Sequence, residues 1–529
     1  MTEKKDRTNS TEMTNGKEKN DKPGRAESPD KSVKPQHSGK LSFRTKLSYG
    51  VGGVADEAMY TLSGTFLMFF LTSAAGIPPS AAGIIVAIGP LWEVICGATV
   101  GYLSDHMESR YGKRKPFLMA AAVPVSIVIT LLFTAIHASM IIKVIYYAAM
   151  TLLFWQSFAM FFVPYMTWGS DLTDDYHERT VLRTYAFLFN KVGMTLGMVL
   201  PSVMVDWLMN RGMSLQFSWT ALGAVVGVLS GGALLYCALT IHISDRPDFK
   251  KDPNRGRLLD PRQLGVMMKE YVRIFELRPI HFIIGASVLY LIGNTFFCAD
   301  RVYFFTYNMG FSAGTISILM LLITVASVVL APILTFICGR IDKKNVATVG
   351  ILVTGILLAL GWFIDVDSFM DCCVICLIYS VGNTCYWQLM PSMIYDVCEA
   401  EELAYGERHS GQVMSLQALS ESMASAIGSV ILGIGLQAAG FQESQGVQPA
   451  SAMEGISDFF TLAPGVCMIA VAFVMARHPI NQHSFQRIKD GLDQLHQGIT
   501  IDLSEYMDIF GKSFVRRRKH SKMHTEEIQ

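Results

Sequence analysis

From about residue 46 to residue 478 the chain alternates long apolar runs with short polar breaks. The runs lie near 46–74, 81–103, 116–136, 141–166, 182–207 and 218–243, then near 280–308, 313–338, 344–364, 368–395, 410–438 and 458–478. Each reaches the roughly 20 residues that a helix needs to cross a hydrocarbon layer about 30 Å thick. The longest polar interruption falls at the midpoint of the series, over 244–279. The pattern predicts an all-α membrane protein of twelve transmembrane helices in two six-helix halves. Its expected parts are a disordered tail over 1–40, halves over 41–243 and 280–478, a linker over 244–279, and a cytoplasmic amphipathic helix with a basic tail over 479–529. Two repeats of this kind hold a solute between them near the midplane.

Composition agrees. Hydrophobic residues make up 51% of the chain and charged residues 17%, against about 25% charged in soluble domains. The net charge of zero gives no electrostatic footprint for nucleic acid. The opening residues lack the apolar core of a cleaved signal, so the first span is expected to act as an uncleaved insertion signal. Most cysteines, such as Cys96, Cys237 and Cys467, sit inside apolar runs, where burial explains them. Cys373 and Cys376 form a C-x-x-C, but in an apolar run without partner ligands, so no metal site is expected. No G-x-x-x-x-G-K-[ST] and no H-E-x-x-H occurs. An ATP-driven pump, an enzyme and a bound cofactor are therefore not expected.

Lys and Arg mark the side of each loop. SDHMESRYGKRK at 104–115, GRIDKKN at 339–345 and RRRKH at 516–520 are basic. TSAAGIPPSA at 72–81 and YNMGFSAG at 307–314 are uncharged, and the 439–457 loop has Glu but no Lys or Arg. Both termini are expected on the cytoplasmic side of the cell membrane. Phe485, Ile488, Leu492 and Leu495 recur at helical spacing among charges, which predicts an amphipathic helix docked on the bundle.

Ionisable residues inside spans cost about 2.5–3.5 kcal/mol each near a helix centre. They persist where they have a partner, water or a function. Here they are Asp56, Glu57, Glu93, Lys191, Asp300, Arg301 and Glu421. Either they line a polar cavity for a cation and a hydrophilic solute, or they form buried pairs that fix packing, such as Lys191 with Glu57. Asp300 and Arg301 point about 100° apart on a helix, so at least one is expected to face the cavity.

Four stretches carry a resemblance. They are KLSYGVGGVADE (46–57), GYLSDHMESRYGKRKPF (101–117), PYMTWGSDLTDDYHERT (164–180) and, more weakly, YDVCEAEELAYGERHSG (395–411). Together they resemble the glycoside–pentoside–hexuronide cation symporters of the major facilitator superfamily. The resemblance implies alternating access between two halves. It implies a cytoplasmic gate in which Asp105, Arg110, Asp171, Asp175, Arg179, Asp396, Glu399 and Arg408 pair across the halves. It places Glu57 and Trp387 at sugar-contact positions. Phe162 stands where sugar carriers have a second acid, and Tyr185 or Ala186 where they have an Arg. In the cation site Glu93 matches the first acid, but Cys96 and Gly97 replace an Asn and a second acid, Ala159 replaces a Thr, and Ser422, beside Glu421, replaces a Lys.

A sodium ion wants several oxygen ligands, as other hard cations do; a proton needs one carboxylate. The expectation is coupling through Glu93 to a proton rather than to sodium. The expected function is import of a small polar solute by secondary active transport: a glycoside, a hexuronide-like sugar or a related organic acid. Substrate-facing residues are expected to be Glu57, Lys191, Asp300, Arg301, Trp387 and Glu421. The aromatic residues Phe162, Tyr165, Phe296, Phe297, Tyr303 and Trp387 serve either an apolar aglycone or helix packing. Two rivals stand: a lysolipid or amphiphile carrier, which predicts a cleft opening sideways to lipid, and a non-transporting sensor on the same fold. Expected partners are the solute and the bilayer; no oligomer is required.

Overall fold

A computed structural model describes residues 41–107, 109, 111, 114–172, 176–241, 273–364, 366–406, 410–443, 445–497, 499 and 501–516. The long helices are α1 (Phe43–Phe69, continued by a wide π turn Phe70–Ala74), α2 (Pro79–His106), α3 (Lys115–Leu132), α4 (Met140–Asp171), α5 (Tyr176–Met209) and α6 (Leu215–Thr240). They are followed by α7 (Arg278–Asn308, ending in a π turn like α1), α8 (Ala313–Cys338), α9 (Lys343–Gly361), α10 (Phe369–Tyr405), α11 (Ser410–Ala438) and α12 (Ala450–Ala476). Eleven are long and apolar enough to cross a membrane. The remaining one, α1, is diluted by Asp56, Glu57 and a run of Gly, Ser and Thr, yet it packs centrally, along α5 and α6.

Helix pairing repeats with an offset of six. α1 lies on α5 and α6, as α7 lies on α11 and α12. α2 pairs with α4, as α8 pairs with α10. α3 pairs with α4 and α6, as α9 pairs with α10 and α12. The two sets meet at α1–α7, α2–α11 and α5–α8. Glycine permits the closest of these approaches. A Cβ at Gly193 would lie 2.5 Å from the Val54 carbonyl oxygen of α1, and one at Gly83 would lie 2.5 Å from the Ser429 oxygen of α11. Small residues let backbones touch where apolar attraction between helices gives no help in lipid. At α1–α5 this holds Glu57 and Lys191 on neighbouring backbones.

Two helices outrun their apolar sequence. α10 continues about ten residues past the run ending at 395, because VCEAEELAY keeps good helix formers until Gly406 takes φ 79° and stops it. α12 starts at Ala450 rather than 458, since Ser451, Glu454 and Ser457 conceal its first turns from hydropathy.

Beyond the bundle, α13 (Gln482–His496) opens with an Asn481–Ser484 capping box and buries Ile488 and Leu492. It packs against α10, the docking its spacing predicts. Asp342 ties it down: one carboxylate oxygen accepts from the Lys344 N–H at the start of α9 (3.0 Å), the other from the Gln482 N–H (2.9 Å). His496 meets Glu402 of α10 at 3.1 Å, and Arg487 meets Asp508 at 2.8 Å. Just before α13, His478 is buried. Burial, with Lys344 and Lys343 nearby, lowers its pKa to about 3, so its imidazole is neutral.

Candidate substrate and coupling site

Tyr60 is the centre of the candidate site. It lies one turn after Glu57 on α1 and is 47% exposed. Asp56 and Glu57 of α1, Glu93 of α2 and Glu421 of α11 all act electrostatically on its phenol. The fields of carboxylates from both halves thus reach one side chain. Behind it stand aromatic residues of α4. Trp155 meets Tyr60 edge-on at 5.9 Å, and Phe158 stacks on Phe162 at 5.5 Å. Trp155 reaches this place because Gly89 of α2 leaves room for its indole.

On the wall formed by the first half, Thr61 donates to Glu57 at 3.4 Å. Lys191 acts electrostatically on Glu57, but the two do not close into an ion pair among the described residues. The ammonium instead lies 3.7 Å from the Met194 sulfur and 5.2 Å from the Phe187 ring centre. An acid and a cation held near each other and left apart can both bind a solute placed between them. Glu93 is partly buried. Cys96, one turn on, donates its thiol to Gln156 at 2.8 Å.

The opposite wall carries a connected polar network. Glu421 accepts from the Tyr386 hydroxyl (3.1 Å) and from the Gln417 amide (2.9 Å), which also donates to Ser287 (2.5 Å). Tyr386 stacks on Tyr290 at 3.7 Å. Tyr290 donates to Asn383 at 3.0 Å, and Tyr379 to Asn294 at 2.5 Å. Trp387 is half exposed beside Tyr386, with ring centres 5.4 Å apart. Tyr60, Gln417 and Tyr386 escaped the sequence reading. The i, i+4 spacing of Gln417 and Glu421 was the signal that pointed to one of them.

Asp300 and Arg301 require a correction. Neither faces the cavity: they are 0% and 1% exposed. Arg301 donates to Thr65 of α1 at 3.1 Å. Just beyond, Thr72 meets Tyr303 at 2.7 Å and Ser73 meets Tyr307 at 2.9 Å. Asp300 lies 22 residues into α7 and Glu57 14 residues into α1. At 1.5 Å per residue the α7 pair is about 12 Å deeper along its helix, beyond the cavity and inside the junction of the halves. Among the described residues, neither Asp300 oxygen has a hydrogen-bond partner, nor do Nε and Nη1 of Arg301. The other junctions close at the same end, where the Ser80 N–H donates to Gln437 (3.2 Å) and Ser317 to the Val199 carbonyl (3.4 Å).

Of the expected gate, Arg110, Asp175 and Arg408 lie outside the described residues. Asp105 and Asp171 stand at the ends of α2 and α4, and Arg179 in the first turn of α5. Asp396 corrects the expectation of pairing across the halves. It binds Lys343 at 2.6 Å within its own half, because α9 begins alongside α10 and its first residue is that lysine. Glu399 is one turn further along α10.

Residues 48–482 match the family model described as MFS/sugar transport protein. The chain is 23% identical to an uncharacterized symporter of Synechocystis sp. over 86% of its own length and 97% of that protein. It is 24% identical to the glucuronide carrier protein homolog of Escherichia coli, over 85% of its own length and 96% of that protein. Among solved structures, a transporter described under substrate recognition in proton-dependent oligopeptide transporters superposes with a TM-score of 0.62 at 12% identity, covering 84% of this chain and 100% of that one. That likeness shows the major facilitator fold. The resemblance seen in the four motifs is thereby borne out. The chain is a multi-pass membrane transporter, not an enzyme, and it belongs to the MFS/sugar transport protein family.

Proposed function

We propose that the protein imports a glycoside of an acidic sugar, hexuronide-like in its head group, by proton-coupled alternating access. The observation that carries this reading is the set of carboxylates from both halves around Tyr60, with Lys191 near Glu57 and unpaired to it. Glu57 and Glu421 suit sugar hydroxyls, and Lys191 suits the sugar's carboxylate. The glucuronide carrier homolog of E. coli bears a name with the same substrate chemistry.

Both termini are assigned to the cytoplasm on loop charge. The junctions closed by Arg301–Thr65, Thr72–Tyr303 and Ser73–Tyr307 then lie on the outer side. They form the outer gate, and import requires that they separate and re-form. Glu93 is assigned the proton: it contributes one carboxylate, and Cys96 and Gly97 beside it add no further hard oxygen ligand.

The test is uptake of 4-nitrophenyl β-D-glucuronide into proteoliposomes under an imposed proton gradient, a sodium gradient, or neither. Accumulation driven by the proton gradient is expected. Accumulation driven by sodium alone would remove the coupling assignment. No uptake by protein that still unfolds cooperatively would remove the substrate class.

A further inference from the structure

After α13 the chain folds back onto the second half. Leu503–Tyr506 and Met507–Phe510 form two short turns, and residues 512–516 form a last one. Ile509, Phe510, Phe514 and Val515 are buried. Two contacts fix where this segment sits. Arg278, the first residue of α7, donates to the Asp508 carbonyl at 3.3 Å, and a Cβ at Gly511 would touch the Arg278 side chain at 3.6 Å. Phe514 meets Tyr405, the last residue of α10, edge-on at 5.8 Å. The Arg273 guanidinium lies over the same Tyr405 ring at 4.0 Å, and the Tyr405 hydroxyl donates to the Arg273 carbonyl at 2.6 Å. The segment is therefore docked beside the entry to α7.

Burying the apolar side chains turns the cations outward. Arg273, Arg278, Lys512 and Arg516 are all exposed, and so is Phe275 between the first two. The stretches 273–278 and 508–516 hold these four cations and two acids, Glu276 and Asp508. Asp508 is taken by Arg487 at 2.8 Å. The sequence then continues with Arg517, Arg518 and Lys519. Height along the membrane normal gives the patch its meaning. The apolar run of α7 begins at 280, about 3 Å along the helix from Arg278. The cations thus lie at the level of lipid head groups, where basic clusters beside a span attract anionic lipid. Phe275 suits the boundary between head groups and acyl chains. Positive charge that only set the orientation of a span would act from an unfolded loop; here buried phenylalanines hold it in place.

We propose that this patch binds the head groups of anionic phospholipids in the leaflet from which α7 enters the membrane, and that the docked C-terminal segment holds its basic end against that leaflet. The proposal is independent of the solute carried.

The experiment titrates delipidated full-length protein in detergent with phosphatidylglycerol or phosphatidylcholine and reads retained lipid by native mass spectrometry. Phosphatidylglycerol is expected to bind at about ten-fold lower concentration or better, since each basic residue near the head groups adds attraction, and the preference should shrink as salt is raised. Lys512→Gln, Arg516→Gln, Arg517→Gln, Arg518→Gln and Lys519→Gln together should bring the two lipids within about two-fold of each other. If that variant does not fold, Arg516→Gln with Arg517→Gln and Arg518→Gln takes its place. Equal retention of the two lipids by the unsubstituted protein would overturn the proposal. So would a preference that survives the substitutions in folded protein, which would move the lipid to the basic loops over 104–115 and 339–345. Displacement of phosphatidylglycerol by an equal concentration of sn-glycerol 3-phosphate would also overturn it, and would reassign the patch to a soluble phosphate.

Discussion

The first helix of each half carries two adjacent ionisable residues, Asp56–Glu57 on α1 and Asp300–Arg301 on α7. The pairing of helices repeats between the halves, yet the two sites differ. Glu57 sits partly exposed beside Tyr60, near a lysine it does not bind. Asp300 and Arg301 are sealed in the α1–α7 junction with most of their polar atoms unpartnered. Equivalent helices at different depths leave one pair beside the half-exposed Tyr60 and bury the other in a seam. Charge inside a membrane segment therefore marks function without saying which function; depth and neighbours decide.

The contrast can be tested most strongly at Arg301. Arg301→Leu removes the only cation next to Asp300 in sequence and the Thr65 contact. It should cost about 2 kcal/mol of stability, the range for losing a hydrogen bond made by a charged group, read as a lower midpoint of unfolding in detergent. An unchanged midpoint would make the junction no more sealed than the cavity. Lys191→Met should do the reverse. The midpoint should hold, because no ion pair is lost, while affinity for an anionic sugar falls about ten- to a hundred-fold, or about 1.4–2.7 kcal/mol. If stability fell instead, Lys191 would belong with Arg301 as a packing charge.

His478 sharpens the comparison, because it is a buried group that has given up its charge. Its folded pKa of about 3 lies below its ordinary value of 6.5. The unfolded chain binds the proton first, so stability is full above about pH 6.5 and falls as pH drops toward 3. The loss between pH 7 and pH 5 is on the order of 2 kcal/mol. His478→Phe should flatten that slope; an unaltered slope would place the acid sensitivity elsewhere. The smallest effect is expected for Thr65→Ala, which leaves Arg301 with one hydrogen bond fewer. A loss of about 1 kcal/mol, with faster opening of the α1–α7 junction, is the expected result.

Much of this was legible in the sequence. Run lengths and the polar break over 244–279 foretold the helices, because a bilayer imposes length directly. The Phe485–Leu495 spacing foretold α13. The set Glu57, Glu93, Lys191 and Glu421 was legible as intramembrane charge, since such residues are rare. Depth was not legible. Nothing in the string CADRVY tells that α7 has passed the cavity by Asp300, because helix starts are fixed by tertiary packing. Lys343–Asp396 was missed because both motif and charge pointed across the halves, whereas α9 and α10 lie side by side. Tyr60 was hidden because a tyrosine in a span looks like any packing aromatic until the four carboxylates that act on it electrostatically are placed on their helices.

The measurement that bears most directly on the account is Glu93→Gln in proteoliposomes, with two assays on one preparation. One reads accumulation of 4-nitrophenyl β-D-glucuronide driven by a proton gradient, the other exchange of labelled for unlabelled solute without a gradient. Loss of accumulation with exchange retained is the predicted result, because the substituted carrier still alternates but no longer binds the proton. Accumulation undiminished in Glu93→Gln would contradict the account and leave the coupling to another carboxylate around Tyr60.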